Sequence, residues 1–328
     1  MNRDDDRDLR QLFHNARLPE ADLTRPVMEK LLESKTSKGR GAMNYKINYK
    51  VSVFVLVGML LTVSSAFAAV HLYSLTNRHG DIVYEEQQLN PTDRDGNTLE
   101  NQLRSLKSGQ LADQFLKEGE AAAFYMAEGN PGRKIDIERA PLHFKTPSAL
   151  REQLKGQPIR IMDTVAGQKY KFESARVTYA PVELSDEERG KLTDQLEKQA
   201  TESGKGYAMQ PLRVSSDHWS LFSVYEHGGK QLLVQATKSD EKTVVLQSSA
   251  GSEGVNKEKL NVDGAELLYG EYTTVPGKET SREIGTGKGI SFIYTIPDSK
   301  FYIWYHIEDV GGHLSKQELI DLALSYLK

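Results

Sequence analysis

Residues 219–236 read WSLFSVYEHGGKQLLVQA, and this stretch decides the fold class. Two runs of β-forming residues, 219–225 and 232–236, flank a pair of glycines. Such runs around a short glycine turn predict an antiparallel β-hairpin. The same reasoning predicts a second hairpin from residues 290–296 and 301–307. The last third of the chain is therefore predicted to form a mainly antiparallel sheet.

The strand predicted over residues 301–307 is apolar or aromatic on both faces. In alternation it carries Phe301, Ile303, Tyr305 and Ile307 on one face, and Tyr302, Trp304 and His306 on the other. A strand that is apolar on both faces normally lies in the centre of its sheet. Residues 243–247 and 121–126 are predicted to form two further strands.

Helices are predicted between and after these strands. Periodicity indicates one helix over residues 99–116. Thr146 and Pro147 have the residue types of an N-cap and a first helical position, and predict a short helix that ends near Leu154.

Two capping boxes predict two more helices, because Ser185 is followed by Glu188 and Ser315 by Glu318. The first of these helices should end near Ser203 and expose most of its surface, with an apolar stripe of Leu192, Leu196 and Ala200. The second should pack on the sheet through Leu319, Leu322, Ala323 and Tyr326. The predicted fold class is α+β: a curved, mainly antiparallel sheet with helices on one face. This domain is expected over residues 98–328, with a subdivision near 181–206.

The composition excludes several classes of protein. The chain has 328 residues, a net charge of −4 and no cysteine. The negative charge argues against a general nucleic-acid-binding protein. The absence of cysteine excludes disulfides, thiol nucleophiles and zinc sites built on cysteine. We expect no nucleic-acid partner, no metal and no cofactor.

Residues 51–70 read VSVFVLVGMLLTVSSAFAAV, and three explanations are open for this stretch. Residues 51–73 contain no Lys, Arg, Asp or Glu. As a helix they would be about 34 Å long, against a hydrocarbon core of about 30 Å, which favours a transmembrane helix over a buried core helix. A signal peptide cut after Ala68 is the other alternative. The fifty preceding residues, with their acidic beginning, favour an uncleaved anchor.

The charges before this stretch predict its orientation. Residues 1–50 carry a net charge of +3, and the remaining residues carry −7. The positive-inside rule places the N-terminus in the cytoplasm and the rest of the chain, after a polar linker over residues 74–97, outside. The basic residues that carry this signal, and that are candidates for binding anionic lipid headgroups, are Lys35, Lys38, Arg40, Lys46 and Lys50.

The N-terminal tail, residues 1–50, has the pattern of a partner-binding segment. Two short amphipathic helices are predicted in it, the second capped by Asp22 or Thr24. Helices this short are marginal in isolation and are stabilised on a partner. A flexible tail with incidental leucines is the alternative. The candidate partner-binding residues are Leu9, Leu12, Phe13, Val27, Met28, Leu31 and Leu32.

No catalytic motif is complete in the sequence. Residues 285–289, GTGKG, lack the spacing of a phosphate-binding loop and are predicted to form an ordinary loop. Residues 93–96, DRDG, lack the other ligands of a calcium loop and are predicted to form a turn. The eight histidines show no paired metal-ligand spacing, and no serine lies in a G-x-S-x-G motif. We therefore predict a protein that is not an enzyme.

Several segments together resemble the single-pass, anti-sigma-factor-like membrane proteins of Gram-positive spore-forming bacteria. They are residues 22–24 (DLT) and 27–31 (VMEKL), the apolar stretch, residues 118–125 (EGEAAAFY) and residues 315–323 (SKQELIDLA). The last of these is similar to the end of domain of unknown function family 4367. The resemblance implies an extracytoplasmic sensing or binding domain, akin to the lipoprotein-carrier half-barrel, and a tail that binds a sigma factor or another regulator. The chain departs from the zinc-binding anti-sigma pattern, since it has no cysteine.

Three functions follow as hypotheses. The first is a non-enzymatic, single-pass regulator of the plasma membrane, with an outer domain for an unknown ligand and a tail for a cytoplasmic partner. The second is a membrane-tethered cell-envelope binding module for lipid, peptide or glycan, in which the tail serves only insertion. The third is an exported hydrolase that uses scattered carboxylates.

Overall fold

The computed structural model describes residues 71–89, 99–248, 255–274 and 285–328. Within these ranges the chain forms three β-sheets and four α-helices, and no helix there is both long and apolar enough to cross a membrane. The tail helices, residues 51–70 of the transmembrane helix predicted over 51–73, the cleavage site after Ala68 and the turn at 93–96 all lie outside the described residues.

The elements follow one another along the chain as follows. The strands are β1 (His71–Thr76), β2 (Ile82–Leu89), β3 (Ala121–Met126), β4 (Ile135–Arg139), β5 (Leu142–Phe144), β6 (Thr164–Val165), β7 (Tyr170–Pro181), β8 (Tyr207–Leu212), β9 (Val214–His227), β10 (Lys230–Ser239), β11 (Thr243–Ser248), β12 (Val255–Val262), β13 (Ala265–Thr274), β14 (Gly285–Thr295) and β15 (Tyr302–Val310). The helices are α1 (Leu99–Phe115), α2 (Pro147–Gln153), α3 (Asp186–Glu202) and α4 (Lys316–Leu327).

The largest sheet, called here the main sheet, contains nine antiparallel strands. Eight follow the order β12-β13-β14-β15-β10-β9-β7-β5, and β6 pairs with β7. Both predicted hairpins, β9–β10 and β14–β15, are confirmed. The prediction that β15 is central is also confirmed, because β15 pairs with β14 on one side and β10 on the other.

Helices α2 and α4 cover one face of the main sheet. The apolar face predicted for α4 is buried there, and both predicted capping boxes are present at the starts of α3 and α4. Aromatic rings fill the space below α4: Phe292 stacks on Tyr305 at 5.0 Å, and Tyr305 contacts Tyr326 at 5.2 Å between ring centroids. All three side chains are at most 4% exposed. This face is therefore a packed core.

A second sheet, the small sheet, has the order β4-β3-β8 and lies between α1 and α3. The stripe Leu192, Leu196 and Ala200 of α3 is buried against it. The fold class is confirmed as α+β with mainly antiparallel strands, but the placement of all helices on one sheet face is wrong. Helices α1 and α3 pack against this separate sheet, because β8, which follows α3, returns to pair with β3.

The third sheet, called the N-terminal sheet, has the order β1-β2-β11, with β11 parallel to β2. It corrects two predictions. Residues 71–73, assigned to the end of the transmembrane helix, are extended in β1. The linker predicted over 74–97 is wrong for residues 74–76 and 82–89, which form strands. The polar residues of β2 are typical of an exposed linker when they are viewed in the sequence alone. The residues that pair with them lie far away along the chain, so the sequence does not indicate that they are buried in a strand.

The segment 285–289 is also corrected, because it forms the first part of β14 instead of a loop. Its glycines leave room for side chains of neighbouring strands. An added Cβ at Gly287 would lie 2.3 Å from carbon atoms of the Tyr272 ring, and one at Gly289 would lie 2.9 Å from the His306 ring. The hydroxyl of Tyr272 donates a hydrogen bond to Glu308 on β15, which holds its ring over Gly287.

Replacing Gly287 with alanine is expected to lower the free energy of unfolding by about 1–3 kcal/mol, because the held Tyr272 ring must move. The measurement is urea-induced unfolding followed by circular dichroism. Gly190→Ala is the matched control, since Gly190 lies within α3 with no atom within 4 Å of an added Cβ. It should raise the stability by about 0.5–1 kcal/mol. A Gly287→Ala variant as stable as the parent would contradict the close packing of this strand.

Candidate functional site: the junction between two sheets

The N-terminal sheet packs on the face of the main sheet opposite to α4. This contact, called here the sheet junction, buries Leu75, Val83, Tyr84, Leu268, Tyr302 and Trp304. Strand β1 begins at His71, directly after the apolar stretch that ends at residue 70. The sheet junction therefore joins the segment that follows this stretch to the largest sheet of the protein.

A stack of three rings runs through the sheet junction. Tyr84 of β2 stacks on Trp304 of β15, with centroids 5.6 Å apart and planes 9° apart. Trp304 in turn stacks on His306 at 5.9 Å. Tyr84 is 3% and Trp304 7% exposed. Burying large side chains of this kind contributes about 1.5–3 kcal/mol each, so the ring stack holds the two sheets firmly together.

A buried ion pair lies beside the rings. The Glu86 carboxylate, on a residue that is 2% exposed, accepts hydrogen bonds from the Lys257 ammonium at 2.9 and 2.8 Å. It also accepts one from the Tyr84 hydroxyl at 2.8 Å. Burial, and then the negative charge of Glu86, raise the pKa of Tyr84 well above its usual value, so this hydroxyl stays protonated and remains a donor. The carboxylate thus ties β2 to β12.

Polar contacts also tie down β1 and the turn after it. Glu266 of β13 accepts hydrogen bonds from both the backbone N–H and the hydroxyl of Thr76, each at 2.8 Å. The backbone N–H of Arg78 donates to the hydroxyl of Thr295 at 3.0 Å. Burial raises the pKa of Glu266, but the contact with Lys259 and then the hydrogen bonds from Thr76 outweigh it, so this pKa is lowered. The C-terminal end of β1 and the turn that follows it are therefore attached to the main sheet.

His306 ends the ring stack in a polar setting. Its Nδ1 lies 2.8 Å from the Ser291 hydroxyl, and its ring lies over Gly289, where a side chain would collide with it. Burial lowers the pKa of His306, which favours the neutral ring. The indole N–H of Trp304 has no hydrogen-bond partner among the described residues. Each of the other side-chain polar atoms described above for the sheet junction has a hydrogen-bond partner.

This arrangement is suited to holding two sheets in one orientation. Its rings and its ion pair are enclosed, and their contacts attach the N-terminal sheet to the main sheet. No cluster of three or more metal-ligating side chains occurs within the described ranges.

The twelve residues predicted from the sequence as tail or headgroup contacts, between Leu9 and Lys50, all lie outside the described residues. Sequence reasoning placed Trp304 and His306 on the correct strand face. It missed Tyr84, Glu86 and Lys257, although the run of β-forming residues at 82–84 (IVY) is a short strand signal.

Comparison with known proteins adds no relative. No protein-family model matches the chain, and neither a curated protein nor a solved structure matches it significantly. The resemblance to anti-sigma-factor-like proteins therefore stays a prediction.

Proposed function

We propose that this protein is a single-pass membrane regulator that passes a signal from an extracytoplasmic domain to a cytoplasmic tail. In this proposal residues 51–70 are the anchor, and the described sheets lie outside the membrane. Residues Leu12, Phe13, Val27 and Leu31 of the tail bind a cytoplasmic partner such as a sigma factor. The outer domain senses or binds an extracytoplasmic ligand.

The observation that carries the proposal is the sheet junction. A module that is only tethered to a membrane works equally well on a slack connection, because its tether transmits no movement. A regulator needs a stiff connection between the ligand-binding domain and the anchor. Here the residue after the apolar stretch already begins β1, and β1 is fixed to the main sheet by the Glu266 contacts and, through β2, by the ring stack and the buried ion pair.

Lengthening the connection tests this function. In a strain of the native host that lacks the gene, the parent protein should restore the normal transcript profile. A variant with six Gly and Ser residues inserted between residues 70 and 71 should fail to restore it, although it reaches the membrane in equal amount. The same insertion between Gly228 and Gly229, in the exposed turn of the β9–β10 hairpin, is the matched control and should restore it.

Deletion of residues 2–34 separates the regulator from the tethered binding module. The regulator loses its effect on transcription with this deletion, whereas the tethered module keeps its function. Full restoration by both the lengthened and the truncated variants would contradict the proposal and favour the envelope binding module. Protease protection of terminal tags on whole cells tests the orientation separately.

A further inference from the structure

A chain of three side chains outside the sheet junction has the order serine, histidine, aspartate. Ser215 and His218 lie in the first part of β9, and Asp240 follows the end of β10. The Ser215 hydroxyl lies 3.4 Å from Nδ1 of His218, and Nε2 of His218 lies 2.7 Å from the Asp240 carboxylate. A base within reach of a hydroxyl, and itself oriented by a carboxylate, is the arrangement that activates a nucleophile.

The hydrogen-bond partners determine where the protons lie. A carboxylate only accepts, so in the neutral form of the His218 ring Nε2 carries the proton and donates a hydrogen bond to Asp240. Nδ1 is then the free acceptor, and it faces the Ser215 hydroxyl. The backbone N–H of Asp217 donates to the Ser215 oxygen at 3.1 Å, which leaves the hydroxyl proton available for His218. The serine oxygen is therefore oriented for proton transfer to the ring.

The surroundings keep Asp240 ionised. Its carboxylate also pairs with Lys300, and the hydrogen bonds from Lys300 and His218 lower the pKa of Asp240 to about 2. The ring of Phe301 packs edge-on against His218 at 5.4 Å and limits its rotation. The His218 side chain remains 35% exposed, so a substrate reaches it from solvent. A local serine turn accounts for the contact with Asp217, but not for a carboxylate 22 residues away that orients the imidazole.

We propose that Ser215, His218 and Asp240 form an acyl-transfer site that hydrolyses small carboxylic esters, or ester groups at the end of a larger molecule. The oxygen of Ser215 attacks the ester carbonyl, and its proton moves to Nδ1 of His218. The C–O bond to the alcohol breaks, and the alcohol leaves with that proton. Water then attacks the acyl-serine, gives its proton to His218, and releases the carboxylic acid as Ser215 regains its proton. Asp240 is a positioning residue that holds the ring and stabilises its protonated form.

The ring nitrogens are used in the opposite sense to the familiar triad, in which Nδ1 faces the carboxylate. The roles matter more than the atom names, because either nitrogen accepts a proton when the other is held by a carboxylate. The distance of 3.4 Å is long for proton transfer, and such hydrogen bonds shorten when substrate binds.

The test uses the full-length protein in detergent with a fluorophosphonate probe, followed by mass spectrometry of peptides, and with p-nitrophenyl acetate as substrate. The parent should carry the phosphonate on Ser215 and hydrolyse the ester. Ser215→Ala should abolish the adduct and the hydrolysis, and His218→Gln should slow both by about 100-fold or more. Ser216→Ala, at the neighbouring exposed serine, is the control and should react at the parental rate.

Asp240→Asn should lower kcat for p-nitrophenyl acetate by about 100-fold while KM stays unchanged, because a mispositioned base affects the chemical step and not binding. Absence of a phosphonate adduct on Ser215 of the folded parent overturns the proposal, whatever the variants do. So does labelling of His218→Gln at the parental rate, since the serine would then react without its base. These outcomes are independent of the signalling function proposed above.

Discussion

Replacing Lys257 with methionine is expected to lower the free energy of unfolding by about 3–5 kcal/mol. The substitution keeps the length of the side chain and removes its charge. It leaves the carboxylate of Glu86, which is 2% exposed, without the ammonium that donates two hydrogen bonds to it. A buried charge without its counter-charge is costly because the protein interior solvates it poorly. Guanidinium-induced unfolding, followed by tryptophan fluorescence, measures the loss.

Two variants show whether burial is the cause. Lys107→Met removes an ion pair with Glu128 in which the side chains are 41% and 70% exposed, and it should cost less than about 1 kcal/mol. Adding Glu86→Gln to Lys257→Met removes the stranded charge, so the double variant should be more stable than Lys257→Met alone. A double variant less stable than the single one would show that the loss has another origin.

The same substitution bears on the function. Lys257→Met should loosen the attachment of β2 to β12 and leave residues 51–70 unchanged. If a stiff sheet junction transmits the signal, this variant should restore the transcript profile only partly, in the same direction as the lengthened connection. For changes at the sheet junction, stability and signalling should therefore decline together. For Gly287→Ala, stability should decline without a matching loss of signalling.

Replacing Phe292 with alanine is expected to lower the free energy of unfolding by about 3–5 kcal/mol. Phe292 is fully buried on the α4 side of the main sheet and stacks on Tyr305 at 5.0 Å. Its removal leaves a cavity below Tyr326 that a sheet held by strands on both sides cannot close. The control is Phe115→Ala at the end of α1, where the side chain is 46% exposed and the loss should be below about 1 kcal/mol.

Thermal and chemical unfolding of both phenylalanine variants, at equal protein concentration, gives the comparison. Equal losses for Phe292→Ala and Phe115→Ala would contradict the assignment of the main core to the α4 face. The two proposals above do not depend on this result, because neither the sheet junction nor Ser215 uses the α4 face.

Short-range patterns were sufficient for much of this fold. The hairpins β9–β10 and β14–β15, the two capping boxes and the central position of β15 all depend on residues within one element or one turn. Alternation along β15 even separated Ile303 and Tyr305, which face α4, from Tyr302 and Trp304, which face the N-terminal sheet. Local propensity and local hydrogen bonding agree at these positions, so the sequence alone predicts them.

The candidate site could not be predicted in this way, because its contacts join distant parts of the chain. Glu86 meets Lys257 across 171 residues, and Thr76 meets Glu266 across 190. In the sequence each is a charged or polar residue typical of an exposed segment, and this is why residues 74–97 were predicted to be a linker. Likewise, the glycines at 285–289 indicate a loop until Tyr272 and His306 are known to lie over them.

The sequence by itself determined the class of the fold, the hairpins, the helix starts and the apolar stretch at 51–70, because each is written in the spacing of neighbouring residues. Only the tertiary structure decided that β1 and β2 form a sheet, that Glu86 is buried with Lys257, and that Asp240 orients His218. Burial strengthens the interactions between such charges and raises the free-energy cost of leaving one unpaired. Burial in turn depends on which distant strands pack together.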